Sequence, residues 1–208
     1  MDTLTKILSA SSELFRQYGF KTITMDDIAR KAGISKKTLY QHFANKQEVV
    51  TESVTWYKSK IHNQCKTLMA ESDNAIEAMV RIMGNFDQVH RQINPIAMLE
   101  LERFYPEAFQ EFRGKMLNDD IVSIRENIEQ GIASGLYRAE INADFMARYR
   151  MEMSLLILHP NLLVNDRHDL PFVGHELSEH FLYGIMTDKG EKLYQKYKEQ
   201  YLKQVSKI

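Results

Sequence analysis

Residues 24–46 read TMDDIARKAGISKKTLYQHFANK, and their spacing predicts two short helices joined by a tight turn, with a third helix beginning at the end. Thr24 is a natural N-cap, and Asp26 and Asp27 follow in the first turn, where the helix dipole favours negative charge. Ile28, Ala29 and Ala32 share one face. Gly33 can take the positive φ that ends a helix, and Ser35 can cap the next one. Leu39 and Phe43, four apart, make the buried stripe of that second helix, with Ile34 packing at its start. Asn45 caps the third helix, and Glu48 stands three residues on as in a capping box.

Helix, glycine turn, helix is the helix-turn-helix pattern. With Leu39 and Phe43 turned inward, Lys36, Lys37, Tyr40 and Gln41 face outward as a cationic, planar, hydrogen-bonding surface. No acidic residue lies between Asp27 and Glu48, whereas Arg30, Lys31, Lys36, Lys37 and Lys46 supply five positive charges. Such a helix suits the major groove of DNA. A merely solvated lysine-rich face accounts for the charge, but not for the agreement of charge, caps and spacing across three elements.

The stretch resembles the DNA-binding domain of the TetR/AcrR family of bacterial regulators. The likeness is carried in register by Tyr18, Gly19, Phe20, Thr22, Thr24, Ile28, Ala29, Ala32, Gly33, Ser35, Thr38, Tyr40, His42, Phe43, Asn45 and Lys46. It covers the chain to Val50; beyond it the sequence resembles the family only in being all-helical and of the right length. The resemblance implies double-stranded DNA as partner, with Thr24, Thr38, His42 and Lys46 fixing the register through phosphates. Lys36, Lys37, Tyr40 and Gln41 would meet base edges or adjacent phosphates, and spacing does not decide which lysine reads a base. Lys46 also stands beside the backbone N–H groups that open the third helix of the stretch, an expected phosphate clamp.

The charge distribution agrees. The 208 residues carry a net charge of −1, but residues 1–50 hold eight Lys/Arg against five Asp/Glu and the remainder nineteen against twenty-three. A basic end on an acidic body is expected where only one end meets phosphate. Cys65 is the only cysteine, which excludes an intramolecular disulfide and fits a reducing compartment. The N-terminus has neither the basic start nor the apolar core of a signal peptide, and the longest uncharged run, 153–165, is too short to span a bilayer. A soluble cytoplasmic protein with no membrane partner is expected.

Apolar periodicity predicts a first helix over Thr3–Tyr18, with Leu4, Ile7, Leu8, Ser11, Leu14, Phe15 and Tyr18 as its stripe. It completes a three-helix head. A head of this size is marginal alone, so the helix from Asn45 to Met69 must tie it to the body. Further helices are expected over Ala75–Gln92, Ile96–Phe104, a short segment from Pro106, Lys115–Ser134, Phe145–Leu163 and Phe172–Thr187. Gly190 is expected to separate the last of these from a final helix, Glu191–Gln204.

The fold class is thus all-α: a helix-turn-helix domain, 1–50, and a helical effector-binding and dimerisation domain, 51–208. The 145–163 helix is apolar all round, so its outer side needs a cover, expected to be a second subunit. The resemblance implies a dimerisation bundle built from it and 172–187; Phe145, Met153, Leu156 and Ile157 would contribute from the first, Val173, Leu177, Phe181 and Ile185 from the second. It likewise implies a ligand cavity among the middle helices. Met79, Met83, Phe86, His90 and Met98 are candidate lining residues, with Phe104, Phe109, Phe112, Met116 and Tyr149, although each reads equally as ordinary core. Eleven methionines suit a pocket for a largely apolar effector.

Enzyme chemistry finds little support. In HELSEH, His175–His180, the two histidines are five apart, so on a helix their rings point about 140° apart and do not share a metal. No P-loop, dinucleotide or nucleophile-elbow signature is present, and no cofactor or metal is expected. The sequence reads as a ligand-released repressor acting as a homodimer on a palindromic operator. Two alternatives stay open: an effector-independent regulator or activator of the same fold, and an enzyme with a vestigial head.

Overall fold

Asp2 opens the first helix by accepting a hydrogen bond from the Thr5 N–H at 2.7 Å, and α1 runs over Thr3–Tyr18. In the computed structural model, which describes residues 2–91, 93–156 and 169–205 and side chains as far as residue 200, every regular element is helical. After α1 come α2 (Met25–Ala32), α3 (Lys36–His42), α4 (Lys46–Ala70), α5 (Ala75–His90), α6 (Ile96–Phe104) and α7 (Pro106–Lys115). A π-helical turn, Met116–Asp120, leads into α8 (Ile121–Ala133), followed by α9 (Ala143–Leu156), α10 (Leu170–Ile185) and α11 (Asp188–Val205). The break expected near Lys115 is therefore a wider helical turn between α7 and α8. Gly190 does not separate helices but lies in the first turn of α11.

The chain forms two compact units, Met1–Ile61 with Gln92–Lys115, and His62–Arg91 with Met116–Ile208. The first is larger than the 1–50 head because α6 and α7 supply part of its core. Ala97 and Leu101 of α6 and Ala108 of α7 are buried in the same cluster as Ile7, Phe15, Ile28, Leu39, Val49 and Val50. A fully buried leucine such as Leu101 contributes roughly 1.5–3 kcal/mol, which a marginal three-helix head needs. Asn94 N–H donates to the Arg16 carbonyl at 2.7 Å, and Thr55 of α4 donates to Glu111 of α7 at 2.8 Å. Two residues of the expected α1 stripe lie at its margin: Leu4 is 44% exposed and Tyr18 51%. They sit at the two ends of the helix.

In the second unit α5 is central and packs against α8, α10 and α11. Ile76, Met79 and Met83 of α5 meet Ile128, Phe181, Leu182, Ile185 and Tyr194. A buried polar knot sits in this core. The Asn127 side chain donates to the Ala75 carbonyl at 3.0 Å, and the Tyr137 hydroxyl lies within 3.3 Å of that carbonyl and 3.2 Å of Asn127 Oδ1. Burial raises the Tyr137 pKa, so the phenol stays a donor.

At the edge of the same unit His175 of α10 stands between two carboxylates, Asp87 Oδ2 of α5 at 3.8 Å and Glu179 Oε2 at 3.8 Å. Glu179 also accepts from Tyr194 at 3.0 Å and pairs with Lys198, both of α11. Asp87 raises the His175 pKa above its ordinary 6.5, against burial; Glu179 adds to the rise and Lys198 opposes it. A histidine whose pKa is raised on folding stabilises the fold below its unfolded value, and that contribution is lost as pH rises through the folded value. The melting temperature is therefore expected to lose this contribution as pH climbs from about 6.5 through neutrality. His175→Gln should flatten that part of the profile, and an unchanged profile would rule the histidine out as its source.

Candidate nucleic-acid interface

Local chemistry sets the helix pair. Thr24 and Asp27 form a reciprocal capping box: Thr24 Oγ1 accepts from the Asp27 N–H at 3.2 Å, and Asp27 Oδ2 accepts from the Thr24 N–H at 3.0 Å and from its hydroxyl at 2.6 Å. Gly33 has φ 68°, a left-handed conformation that a residue with a β-carbon resists, and so the chain turns at once into α3. Ser35 caps α3 by accepting from the Thr38 N–H at 3.0 Å. Asn45 caps α4 by accepting from the Glu48 N–H at 3.0 Å, while the Glu48 carboxylate returns to the Ala44 N–H at 2.8 Å.

Leu39 and Phe43 are buried as their spacing requires, and Ile34 packs against the same core. Lys36, Lys37, Tyr40, Gln41 and His42 are left on the outer face, Tyr40 with 46% of its surface exposed.

The cations are less available than their number implies. Arg30 lies 2.6 Å from Asp27, Lys31 is 2.7 Å from Glu13, and Lys36 is 2.7 Å from Asp26. The hydrogen bond to Asp26 raises the Lys36 pKa. Of the five cations, Lys37 is the one that meets no carboxylate or carbonyl among the described residues.

Lys46 departs from the expected phosphate clamp. Its ammonium turns inward and donates to the carbonyls of Phe20 and Lys21. Burial lowers its pKa, against the charges of Glu100 and Asp27. The hydroxyls of Thr24 and Thr38 are also engaged, with Asp27 and with Ser35 at 2.8 Å.

Glu100 of α6 grips the same turn from its amide side, accepting from the Lys21 N–H at 2.8 Å. Sequence reading missed it. A carboxylate 79 residues from its partner leaves no local pattern, and Gly19, where a β-carbon would sit 2.6 Å from Glu100 Oε2, is the only trace.

The candidate pocket residues fall into both units. Met98 and Phe109 pack on the first unit's core, and Phe112 lies half-buried on α7 in that unit. Phe104 is exposed, with Lys21 and Arg103 over its ring. Met79, Met83 and Met116 are buried in the second unit, and Phe86 stacks on His90 at 5.7 Å. Burial lowers the His90 pKa, and its Nδ1 has no hydrogen-bond partner among the described residues. Tyr149 is exposed and tilts against Phe181.

The candidate interface residues also divide. Met153, Val173, Phe181 and Ile185 are buried within the chain, and Leu177 is partly buried against the same core. Their helices turn those positions toward elements of their own unit. Phe145, 64% exposed, and Leu156 face out, and Ile157 lies outside the described residues, as does the end of the expected 145–163 helix.

A family model described as bacterial regulatory proteins, tetR family, matches residues 7–52. The uncharacterized HTH-type transcriptional regulator YhgD of Bacillus subtilis is 31% identical over 139 residues, which span 65% of this chain and 72% of that protein. The HTH-type transcriptional repressor KstR2 of Mycobacterium tuberculosis is 26% identical over 151 residues, 69% and 74% of the two. Among solved structures, the transcriptional regulator FadR from Bacillus subtilis in complex with stearoyl-CoA shares the fold, with a TM-score of 0.64 at 16% identity over 88% of this chain and 99% of that one. With the helix pair, its caps and its outward basic face in place, the chain belongs to the TetR family of bacterial regulatory proteins, helix-turn-helix DNA-binding regulators of transcription.

Proposed function

We propose that this chain is a repressor that binds a palindromic operator as a homodimer and is released by a small, largely apolar effector held in its second unit. The observation that carries the reading is α3: Leu39 pins it to the core while Lys37, Tyr40, Gln41 and His42 stand exposed and uncommitted on its outer face. Lys37, Tyr40 and Gln41 read base edges, and His42 contacts phosphate. Lys36 joins them by exchanging Asp26 for a phosphate, and an exposed, solvent-screened ion pair is a small barrier to that exchange. Thr24 and Thr38 hold the helices in register for these contacts. The relative KstR2 is a transcriptional repressor, which supports the same sign of regulation.

The dimer uses the apolar face that remains outside the core. Phe145, Tyr149 and Leu156 are four and seven residues apart on α9, one side of a helix, and Phe172 and Tyr183 of α10 are three turns apart on one side of theirs. No helix among the described residues is long and apolar enough to cross a membrane, in keeping with action in the cytoplasm.

Selection of bound duplexes from a random library tests the reading. A palindrome with half-sites spaced by about one helical turn or a multiple of it is expected, and its recovery should be lost with Tyr40→Ala. Recovery of salt-sensitive background alone would overturn it. Lys46→Met separates a structural lysine from a phosphate contact. It should lower stability by about 1–2 kcal/mol while leaving the salt dependence of binding unchanged. A slope reduced by about one would return Lys46 to the phosphates.

A further inference from the structure

Arg150 of α9 is 6% exposed, and among the described residues no carboxylate stands against it. Its guanidinium donates to Ser178 Oγ of α10 at 2.8 Å and to Ser154 Oγ at 3.2 Å, and it lies 5.5 Å from the Phe181 ring centroid. Ser154 spends its own proton on the Arg150 carbonyl at 2.9 Å. Other arginines in this unit are paired: Arg81 with Glu71, and Arg125 with Asp144 and Glu129. Those pairs are partly exposed, whereas the most deeply buried guanidinium among the described residues has no anion beside it.

Two hydroxyls and a ring satisfy hydrogen bonds but do not neutralise a charge. Burial alone lowers the Arg150 pKa to about 10, which leaves it protonated at neutral pH. A buried cation without a counter-charge is among the most expensive features a core can hold, and its removal in favour of an apolar side chain is often stabilising. A fold that keeps such a group holds a strained site of the kind that function maintains.

The surroundings define what fits. The guanidinium fork matches the two oxygens of a carboxylate or phosphate, and two of its five N–H groups are used among the described residues. Ser178 accepts from the arginine, so its own proton is available to an anion. The Phe181 ring beside the arginine is buried and apolar. We propose that Arg150 and Ser178 form the seat for the anionic group, a carboxylate or phosphate, of an otherwise apolar effector. This deepens the reading of the chain as effector-responsive and rests on it.

The test uses the purified full chain with three probes: dodecanoate, dodecanol and inorganic phosphate. Thermal melting and release of the selected duplex are both read. Dodecanoate should raise the melting temperature of the wild type at concentrations where dodecanol leaves it unchanged, and should release the duplex. Arg150→Met should melt no lower than the wild type without probe, and should need at least tenfold more dodecanoate for the same shift. Ser178→Ala should weaken the response by less than Arg150→Met. A rise with inorganic phosphate that Arg150→Met abolishes would also support the seat and assign it to the anion itself.

Equal responses to dodecanol and dodecanoate would overturn the seat while leaving an effector-responsive regulator in place. An Arg150→Met chain that melts well below the wild type, or falls into monomers, would show that the fold or a second copy already neutralises the arginine, and would overturn the seat as well. If no probe shifts melting or releases the duplex, both the seat and the apolar-effector reading fall.

Discussion

Replacing Gly131 with alanine is expected to destabilise the protein by about 2–3 kcal/mol, although helix propensity alone favours alanine by about 1 kcal/mol at an interior position. Gly131 sits in α8, and a β-carbon there would lie 2.0, 2.3 and 2.7 Å from Cδ2, Cε2 and Cγ of Tyr137. The ring cannot easily retreat. It is buried, its hydroxyl is held at Ala75 and Asn127, and its own N–H donates to the Gly131 carbonyl at 3.0 Å. Overpacking of this kind forces backbone or rotamer shifts, which outweigh the propensity gain. A denaturant titration measures it directly. A midpoint above the wild type's would mean that Tyr137 repacks at no cost.

The neighbours Leu39 and Tyr40 are expected to lose DNA binding for opposite reasons. Leu39 is fully buried, so Leu39→Ala removes the packing that holds α3 and should cost about 3 kcal/mol. The head is small, and a loss of that size leaves much of it unfolded at working temperature. Tyr40 projects from the other side, and Tyr40→Ala should change stability by less than about 0.5 kcal/mol. Melting curves of the two variants, read beside duplex binding, separate them: binding lost with a normal melt for Tyr40→Ala, and lost with an early melt for Leu39→Ala. Normal binding by Tyr40→Ala would remove this residue from the reading surface.

What the sequence made legible was local. Thr24, Ser35, Asn45 and Gly33 each act on backbone groups a few residues away, so their roles follow from short-range stereochemistry. The inward turn of Leu39 and Phe43 follows from helical periodicity in the same way. The inward turn of Lys46 is not legible, because exposure at a helix start is read locally while the carbonyls of a turn 25 residues earlier are not. Glu100 and Arg150 depend on partners brought together by packing, and no spacing rule reaches them. An all-round apolar helix, such as the expected 145–163 segment, announces that both sides need covering. It does not say which side its own unit takes, and so Met153 turns inward while Phe145 stays outside.

The first unit is assembled from two stretches of chain, 1–61 and 92–115, and that arrangement has a practical corollary for engineering. A chimaeric regulator made by grafting residues 1–50 onto another member's body would leave behind Leu101, Ala108 and the carboxylate of Glu100, on which the grafted turn depends. The unit of exchange is a two-segment cassette, and a donor reader transplanted without its second segment must find a host whose own helices reproduce those three contacts.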